Sequence, residues 1–300
     1  MNVVEKIQEF ITDFITDMLS EFTQSCLIRA GNTISDVIDI MGDNITNTPA
    51  SWNTELYTKL EGITNAAVMP IAIGIMAIIL CYDLISACMD SNNMKDFDTA
   101  IFFRFAIKGW VAIYFMNHVF TICSAFFDIG SSIAKTAMTD LFKETTMDFS
   151  HLASTEFKTV LSSLSIGDLA LSSLLSCFVY LVSMVVMIIV LMVTTGRIIE
   201  ALIYFCAAPI PFATMTNNEW KNIGYAFLKN ILALALQAFF IVVVLAIYEI
   251  LFTTNVTGLE EIGGLKSLST VLLKWICYSI ICCFMLLKTG SISKSICATH

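Results

Sequence analysis

The sequence predicts an all-α, polytopic helical membrane protein, and three observations support this fold class. Of its 300 residues, 57% are hydrophobic and only 14% are charged, whereas a soluble domain carries about 25% charged residues. Five apolar stretches reach the length of about 20 residues that a helix needs to cross a bilayer. No secretory signal peptide is recognisable, because the acidic first 22 residues lack a continuous apolar core. We therefore expect the first spanning helix to direct membrane insertion.

Residues 1–65 are predicted to form an acidic, amphipathic helical segment outside the membrane. Between Val4 and Phe22 the apolar residues recur at helical spacing, and acids repeat every four residues on another face: Glu5, Glu9, Asp13, Asp17 and Glu21. A helix lying on lipid usually carries Lys and Arg on its polar face. The acidic face therefore indicates packing against another protein helix, within the subunit or across a subunit contact.

Residues 66–300 are predicted to form the transmembrane domain. The predicted spans are residues 66–89, 101–127, 169–195, 223–252 and 268–287. Residues 128–168 lie between the second and third spans, are amphipathic and rich in Ser and Thr, and are expected to form an outer loop with one or two short helices.

One further apolar stretch, residues 198–215, contains two prolines and predicts a break at membrane depth. Proline lacks a backbone donor and drives the preceding residue out of the helical region, so residues 208–212 are expected to be extended. Residues 198–207 would then be helical for only about 15 Å, half a bilayer. We interpret residues 196–222 as a re-entrant half-helix with a proline break. The alternative is a sixth, proline-kinked span.

The basic residues predict the orientation of the chain. With five spans and an outer N-terminus, the inner side receives Lys95, Arg104, Lys108, Arg197, Lys221, Lys229, Lys288 and Lys294. The outer side receives the acidic N-terminal segment, the 128–168 loop, and Glu260 and Glu261. Six spans would place four of these lysines outside, so the prediction is N-out and C-in with five spans.

The sequence contains no motif that binds nucleotides, holds catalytic zinc or presents a catalytic nucleophile. Its ten cysteines form no CxxC pair and no Cys/His cluster of zinc spacing. We therefore predict that the protein is not an enzyme, has no catalytic residues, and holds no metal or cofactor. Any work that it takes part in must be driven by other proteins.

Charged residues inside apolar segments are costly and mark either function or a specific pair. Asp83 in the first span is expected to pair with Arg104 or Lys108, which lie four residues apart on one face of the second span. A pair that fixes helix packing is favoured over a role in conduction. Snorkelling of both cations to the inner interface is an adequate alternative.

The predicted half-helix carries Arg197 and Glu200 three residues apart, and Tyr204 falls on the same face. These residues either form an ion pair that locks the segment or line a polar path beside the break at Pro209 and Pro211.

In the fourth span, Lys229 and Gln237 are eight residues apart and thus share a face. Gln237 at mid-membrane is expected to hydrogen-bond another helix, which is worth about 1 kcal/mol.

The stretch around the two prolines resembles one protein family. An Arg-Ile-Ile-Glu start at Arg197, an Ala-Pro-Ile-Pro break at residues 208–211, a polar turn ending in Trp220, and a long span with Lys229 and Gln237 are similar to the TrbL-like family. These are polytopic membrane subunits of conjugative type IV secretion systems, and the version here resembles those of Gram-positive mobile elements. The resemblance covers roughly residues 60–290 and is most specific over residues 197–237.

The resemblance implies a multi-pass subunit of the cytoplasmic membrane that forms a ring-like homo-oligomer. It implies a structural channel or scaffold role in the conduit for a relaxase–DNA substrate, with other secretion-system membrane subunits and ATPases as partners. Direct nucleic-acid binding is not predicted, because the acidic outer segment would repel DNA.

The alternative function is a secondary transporter whose substrate site is the broken helix 198–215, with Glu200 as the proton-coupled group.

Overall fold

The computed structural model describes residues 3–45, 47–90, 99–142, 150–257 and 265–297. All regular secondary structure in these residues is helical, which confirms the all-α fold class. The α-helices are α1 (Val3–Ile45), α2 (Pro49–Trp52), α3 (Thr54–Ile63), α4 (Met69–Asp90), α5 (Thr99–Asn117), α6 (Val119–Leu141), α7 (Thr155–Ser162), α8 (Ile166–Ala207), α9 (Pro209–Thr214), α10 (Lys221–Thr257) and α11 (Leu265–Ile296). A π-helical turn, Thr64–Val68, joins α3 to α4, and a 3-10 turn, Ser150–Ala153, precedes α7.

Four helices in the described ranges are long and apolar enough to cross a membrane: Thr54–Ser86, Ile166–Ala207, Lys221–Asn255 and Leu268–Ile296. The pair formed by α5 and α6 is a fifth candidate, and it bends by 63°. These candidates overlap the five predicted stretches, so the chain is a multi-pass membrane protein with four candidate spans in the described residues, or five if the bent pair crosses as one. The N-out, C-in orientation stays a prediction. Lys95, Glu260 and Glu261, on which it partly depends, lie outside the described residues.

The second predicted span differs from the helices that form. The helix is interrupted at His118, inside the predicted span, and α6 then continues past Phe127 to Leu141. Asp128 ends the apolar run but is exposed on the surface of α6, and an exposed charge does not end a helix. Residues 128–141 are therefore part of this long helix. Of the remaining loop, residues 143–149 lie outside the description.

The extended break predicted at residues 208–212 is wrong. The predicted half-helix is the end of α8, a single helix of 42 residues that is about 60 Å long. Ala208 has helical dihedral angles, with φ −53° and ψ −37°, and α9 begins directly at Pro209. Both prolines lie in the first turn of α9, where a backbone N–H has no partner within the helix. Pro209 has no N–H to donate to the carbonyl oxygen of Phe205. That oxygen instead accepts a hydrogen bond from the Ala208 N–H at 3.3 Å.

The proline segment, residues 196–222, therefore consists of a helix end, a short helix and a turn. The sixth span of the alternative topology has no helix of its own here, because residues 198–207 belong to α8. A re-entrant path of residues 209–222 through the membrane stays a prediction.

The chain divides into two compact units, which we describe separately. Unit 1 comprises Met1–Asp43, Thr136–Thr194 and Ile241–Thr289. Its buried core contains apolar residues of α1, α8, α10 and α11, including Leu27, Val186, Leu245 and Trp275. Within a bilayer, close packing of these side chains and hydrogen bonds between the helices stabilise the unit.

Hydrogen bonds fix the register of the helices in unit 1. The hydroxyls of Tyr248 and Ser279 lie 2.8 Å apart, and the Asn255 amide donates to the Val271 carbonyl at 3.0 Å. The two contacts pair earlier residues of α10 with later residues of α11, so these helices are antiparallel.

Unit 2 comprises Asn44–Lys135, Thr195–Phe240 and Gly290–His300. Its core contains an aromatic cluster centred on Phe205 of α8. The Phe205 ring makes edge-to-face contacts with Phe127, Phe120 and Tyr57, at centroid distances of 5.4, 6.0 and 6.5 Å. This arrangement is the favoured geometry for aromatic pairs. The cluster places the end of α8 and the start of α9 inside the protein.

Candidate functional site

The proline segment is the centre of the candidate site, and its inner side is apolar. Phe205, Ala208 and Phe212 are buried in one cluster with residues of α6 and α10. Ala213 of α9 is buried in a second cluster with Met69, Ala72 and Met76 of α4 and Met116 of α5. The prolines thus lie in a packed region, with Pro209 buried and Pro211 partly buried.

A glycine allows α10 to begin directly against α9. A Cβ atom at Gly224 would lie 2.8 Å from the Pro211 carbonyl oxygen and 2.0 Å from Cγ of Met215. Backbone oxygens cannot move aside as a flexible side chain can, so only glycine fits here. The turn between α9 and α10 therefore depends on Gly224 as well as on the prolines.

Arg197 lies in the interior of unit 2, with 2% of the residue exposed. Its Nη2 donates to the carbonyl oxygen of Ile45 at 3.1 Å, at the last residue of α1. Its guanidinium carbon lies 5.9 Å from the centre of the Phe127 ring, within the range of a cation–π contact. The last carbonyls of a helix have no partner within the helix and attract a cation. Arg197 therefore caps α1.

The ion pair predicted between Arg197 and Glu200 is not formed. Glu200 Oε1 instead lies 3.2 Å from Lys294 Nζ of α11, and both side chains are 41% exposed. A pair with this exposure contributes at most about 1 kcal/mol. The Tyr204 ring packs against Phe227 of α10 at 5.7 Å.

Asp83 of α4 is the acceptor of a small polar cluster. Its two carboxylate oxygens accept hydrogen bonds from Lys108 of α5 and from the side-chain amide of Asn217. The cluster joins two helices to the turn after α9. Asn217 is 4% exposed, and its own oxygen accepts from the Glu219 N–H at 2.6 Å. The side chain of Arg104, the other predicted partner of Asp83, lies outside the description.

Sequence reasoning missed Asn217, because the stretch from Thr216 to Glu219 has the composition of an ordinary polar turn. The only sequence signal for the role of Asn217 is Asp83, because an uncompensated carboxylate in an apolar span requires hydrogen-bond donors.

The remaining predicted site residues are in different environments. Trp220 is 48% exposed and Gln237 is 8% exposed, while Lys229 is exposed. Lys229 and Gln237 therefore do not form one polar surface. A Cβ atom at Gly290 of α11 would lie 3.3 Å from the Gln237 amide nitrogen, so a small residue permits close approach of the two helices.

An apolar cavity of about 510 Å³ lies beside α9 in unit 2, and it is lined mainly by side chains of α5, α6, α9 and α10, including Phe115, Phe126 and Phe212. Its charged lining residue is Lys108, which already donates to Asp83. A coupled proton site at Glu200 gains no support from this geometry, because Glu200 pairs with Lys294 and the cavity wall is apolar. The arrangement is that of a packing junction.

Comparison with known proteins adds the family. The profile of the family described as "TrbL/VirB6 plasmid conjugal transfer like protein" matches residues 34–209, which is more than half of the chain. The match includes Arg197, Glu200 and Tyr204 and ends at Pro209. Residues 197–237, over which the resemblance is most specific, therefore lie largely beyond the match. No curated protein and no solved structure gives a significant match. The chain belongs to the TrbL/VirB6 plasmid conjugal transfer like family, and it is a component of a conjugative type IV secretion system.

Proposed function

We propose that the chain is a structural channel or scaffold subunit of a conjugative type IV secretion machine in the cytoplasmic membrane. Several copies form a ring around a central axis and help to form the conduit for a relaxase–DNA substrate. Other membrane subunits and separate ATPases of the machine are its partners, and it performs no catalysis itself. Its N-terminus is outside and its C-terminus inside.

The filled core around the proline segment is the observation that carries this proposal. Phe205 and Phe212 occupy the interior where a polar path would have to run, with Phe127 and Phe227 against them. The cavity beside α9 has a volume of about 510 Å³, which is the size of a small-molecule site. A nucleoprotein cannot use such a cavity, so a conduit must lie between copies of the chain.

The uneven burial of the candidate spans supports assembly with neighbours. The most apolar window of α10 is 61% buried, whereas those of Thr54–Ser86, α8 and α11 are 22%, 28% and 33% buried. These three helices present most of their apolar surface to lipid or to neighbouring subunits. Their exposed apolar surfaces are therefore available for contacts between the subunits of a ring.

The charged residues in the apolar segments also support a structural role. Arg197 caps α1, and Asp83 holds Lys108 and Asn217. The groups that they bond, in Ile45, Lys108 and Asn217, all belong to unit 2. This arrangement favours packing over conduction for both.

Deletion of the gene in donor cells tests the proposal. We expect transfer of the mobile element to fall to background and an intact copy to restore it. Glu200→Gln, which keeps the size of the side chain, should leave transfer unchanged because the pair with Lys294 is exposed. Transfer that persists after deletion would contradict the proposal, and loss of transfer in Glu200→Gln at normal protein level would favour the proton-coupled alternative.

A further inference from the structure

A second space adjoins the apolar cavity beside α9. This space, which we call the polar recess, has a volume of about 420 Å³ and is lined by residues of α6 and α10: Phe126, Asn222, Tyr225, Leu228, Lys229 and Leu232. Phe126 and Leu228 also line the apolar cavity, so the two spaces are neighbours within unit 2. The cavity reaches the protein surface, because its lining residues Val111 and Phe115 are 38% and 49% exposed. One molecule lying along this surface can therefore occupy both spaces.

The polar side chains of the apolar cavity are already engaged within the protein. Lys108 donates to the Asp83 carboxylate, and the Thr216 hydroxyl donates to the Ala213 carbonyl oxygen at 3.1 Å. The eight other lining residues are apolar. Burial of an unpaired polar group against such a wall is unfavourable. The cavity therefore fits a hydrocarbon chain.

The polar recess has the opposite character. Asn222, Tyr225 and Lys229 are exposed, and their spacing places them on one face of α10. All three side chains are hydrogen-bond donors. Among the described residues Lys229 forms no ion pair, and the acids nearest in sequence, Glu219 and Asp128, do not line the recess. The recess therefore fits an anionic group.

The polar recess lies where lipid headgroups are expected. It is at the start of the candidate span Lys221–Asn255, where Trp220 and Tyr225 are 48% and 50% exposed. Trp and Tyr are enriched at membrane interfaces. Lys229 lies about 12 Å further along the helix, and its long stem allows the amine to reach back to the interface. A headgroup at this level can contact all three donors.

We propose that the two spaces bind one anionic phospholipid. An acyl chain lies in the apolar cavity, and the phosphate is bound by Lys229 with Asn222 and Tyr225 as further donors. Basic pockets between membrane helices are a known way to bind anionic headgroups. The lipid would fill the space between α5 and α10. The inference needs neither a ring nor a conduit, so it is independent of the proposed function.

The shapes and charges of the two spaces favour this ligand over other occupants. A helix of another copy is about 10 Å across, so a cavity of about 510 Å³ admits little more than one turn of it. A free phosphate ion would satisfy Lys229 but leave the apolar cavity unfilled. A zwitterionic lipid has the same acyl chains, but its own cation competes with Lys229 for the phosphate. An anionic phospholipid fits both spaces.

Native mass spectrometry of the full-length protein tests the headgroup contact. Phosphatidylglycerol and phosphatidylcholine with identical acyl chains would be offered together in mild detergent. We expect the protein to retain phosphatidylglycerol about fivefold more, the effect of one lysine at an anionic surface, and Lys229→Gln to remove this preference. Lys288→Gln is the matched control, because Lys288 is exposed on the candidate span of α11 and lines neither space. Equal retention of the two lipids, or the same loss in both variants, would overturn the inference.

A phosphatidylglycerol with a photoreactive group in its acyl chain tests the position of that chain. We expect crosslinked peptides from α5 and from the stretch Phe212–Thr216. Crosslinks spread evenly over the exposed faces of α8 and α11 would show a general lipid shell and contradict the inference. Loss of the lipid preference in millimolar inorganic phosphate would assign Lys229 to a free anion. Fewer copies per particle in Lys229→Gln, with lipid retention unchanged, would assign it to a subunit contact. Either result would overturn the inference.

Discussion

Gly130→Val is expected to separate α6 from α10 and to leave little folded protein in the membrane. A Cβ atom at Gly130 would lie 2.5 Å from the carbonyl oxygen of Ala235 and 2.8 Å from its carbonyl carbon. Both are backbone atoms, so no rotamer change relieves the contact and the helices must move apart. Overpacking of this kind costs about 1–3 kcal/mol or more. Even Gly130→Ala should destabilise, although alanine is the better helix former by about 1 kcal/mol.

Gly74→Ala is the matched control, because a Cβ atom at Gly74 of α4 meets no other atom within 4 Å. Thermal unfolding in detergent and the amount of protein in the membrane fraction are the measurements. The account expects both to fall for the Gly130 variants and neither to fall for the control. If Gly130→Val unfolded at the temperature of the natural protein, the close crossing of α6 and α10 would be refuted.

Arg197→Lys is expected to destabilise unit 2 more than Arg197→Met, although lysine keeps the charge. The guanidinium is buried and binds the Ile45 carbonyl, while its Nε has no partner among the described atoms. An ammonium is more strongly hydrated than a guanidinium and cannot cover both the carbonyl and the Phe127 ring. Lysine thus leaves a poorly partnered charge in the interior, at a cost of about 3 kcal/mol or more.

Methionine loses the bond to Ile45, which is worth about 1.5–3 kcal/mol, but it no longer buries a charge. Unfolding temperatures of the two variants decide the order. Hydrogen exchange should show faster opening of the last turn of α1 in both, because the cap is lost. A methionine variant that unfolds well below the lysine variant would show that charge, and not the shape of the guanidinium, is what this position requires.

The helices could be predicted from the sequence because their signal is local. Each span requires about 20 consecutive apolar residues, and the candidate spans of the structure fall on the predicted stretches. The ends of the helices depend on tertiary contacts and are therefore harder to predict. Proline is compatible with the first turn of a helix, so Pro209 and Pro211 did not produce the expected extended break. No proline or glycine marks the interruption at His118.

The contacts of the site were harder to predict because several use groups without a sequence signature. The partner of Arg197 is a backbone carbonyl, that of Ile45, far away in the chain. The partner of Glu200 is Lys294, which the sequence places on the same side of the membrane but does not single out. Gly130 and Ala134 do form a small-xxx-small pattern typical of close helix contacts. The interpretation of residues 128–168 as an outer loop does not use this signal.

The charged residues and the prolines of this chain contribute to packing within the subunit. Asp83 accepts a hydrogen bond from Lys108 of a neighbouring helix, and Arg197 donates one to the last carbonyl of α1. The prolines start a short helix that packs on α4. We propose that such a subunit supplies walls of the conduit and that other copies of the chain complete the passage for a large substrate.

The mass of the complex in native membranes tests this central claim most directly. The protein would be extracted into polymer nanodiscs from cells that carry the complete transfer machinery, and single particles would be weighed by mass photometry. The account predicts one dominant particle that contains a fixed number of copies, sufficient to close a ring. A population consisting of single chains, in cells that transfer DNA at the normal rate, would contradict it.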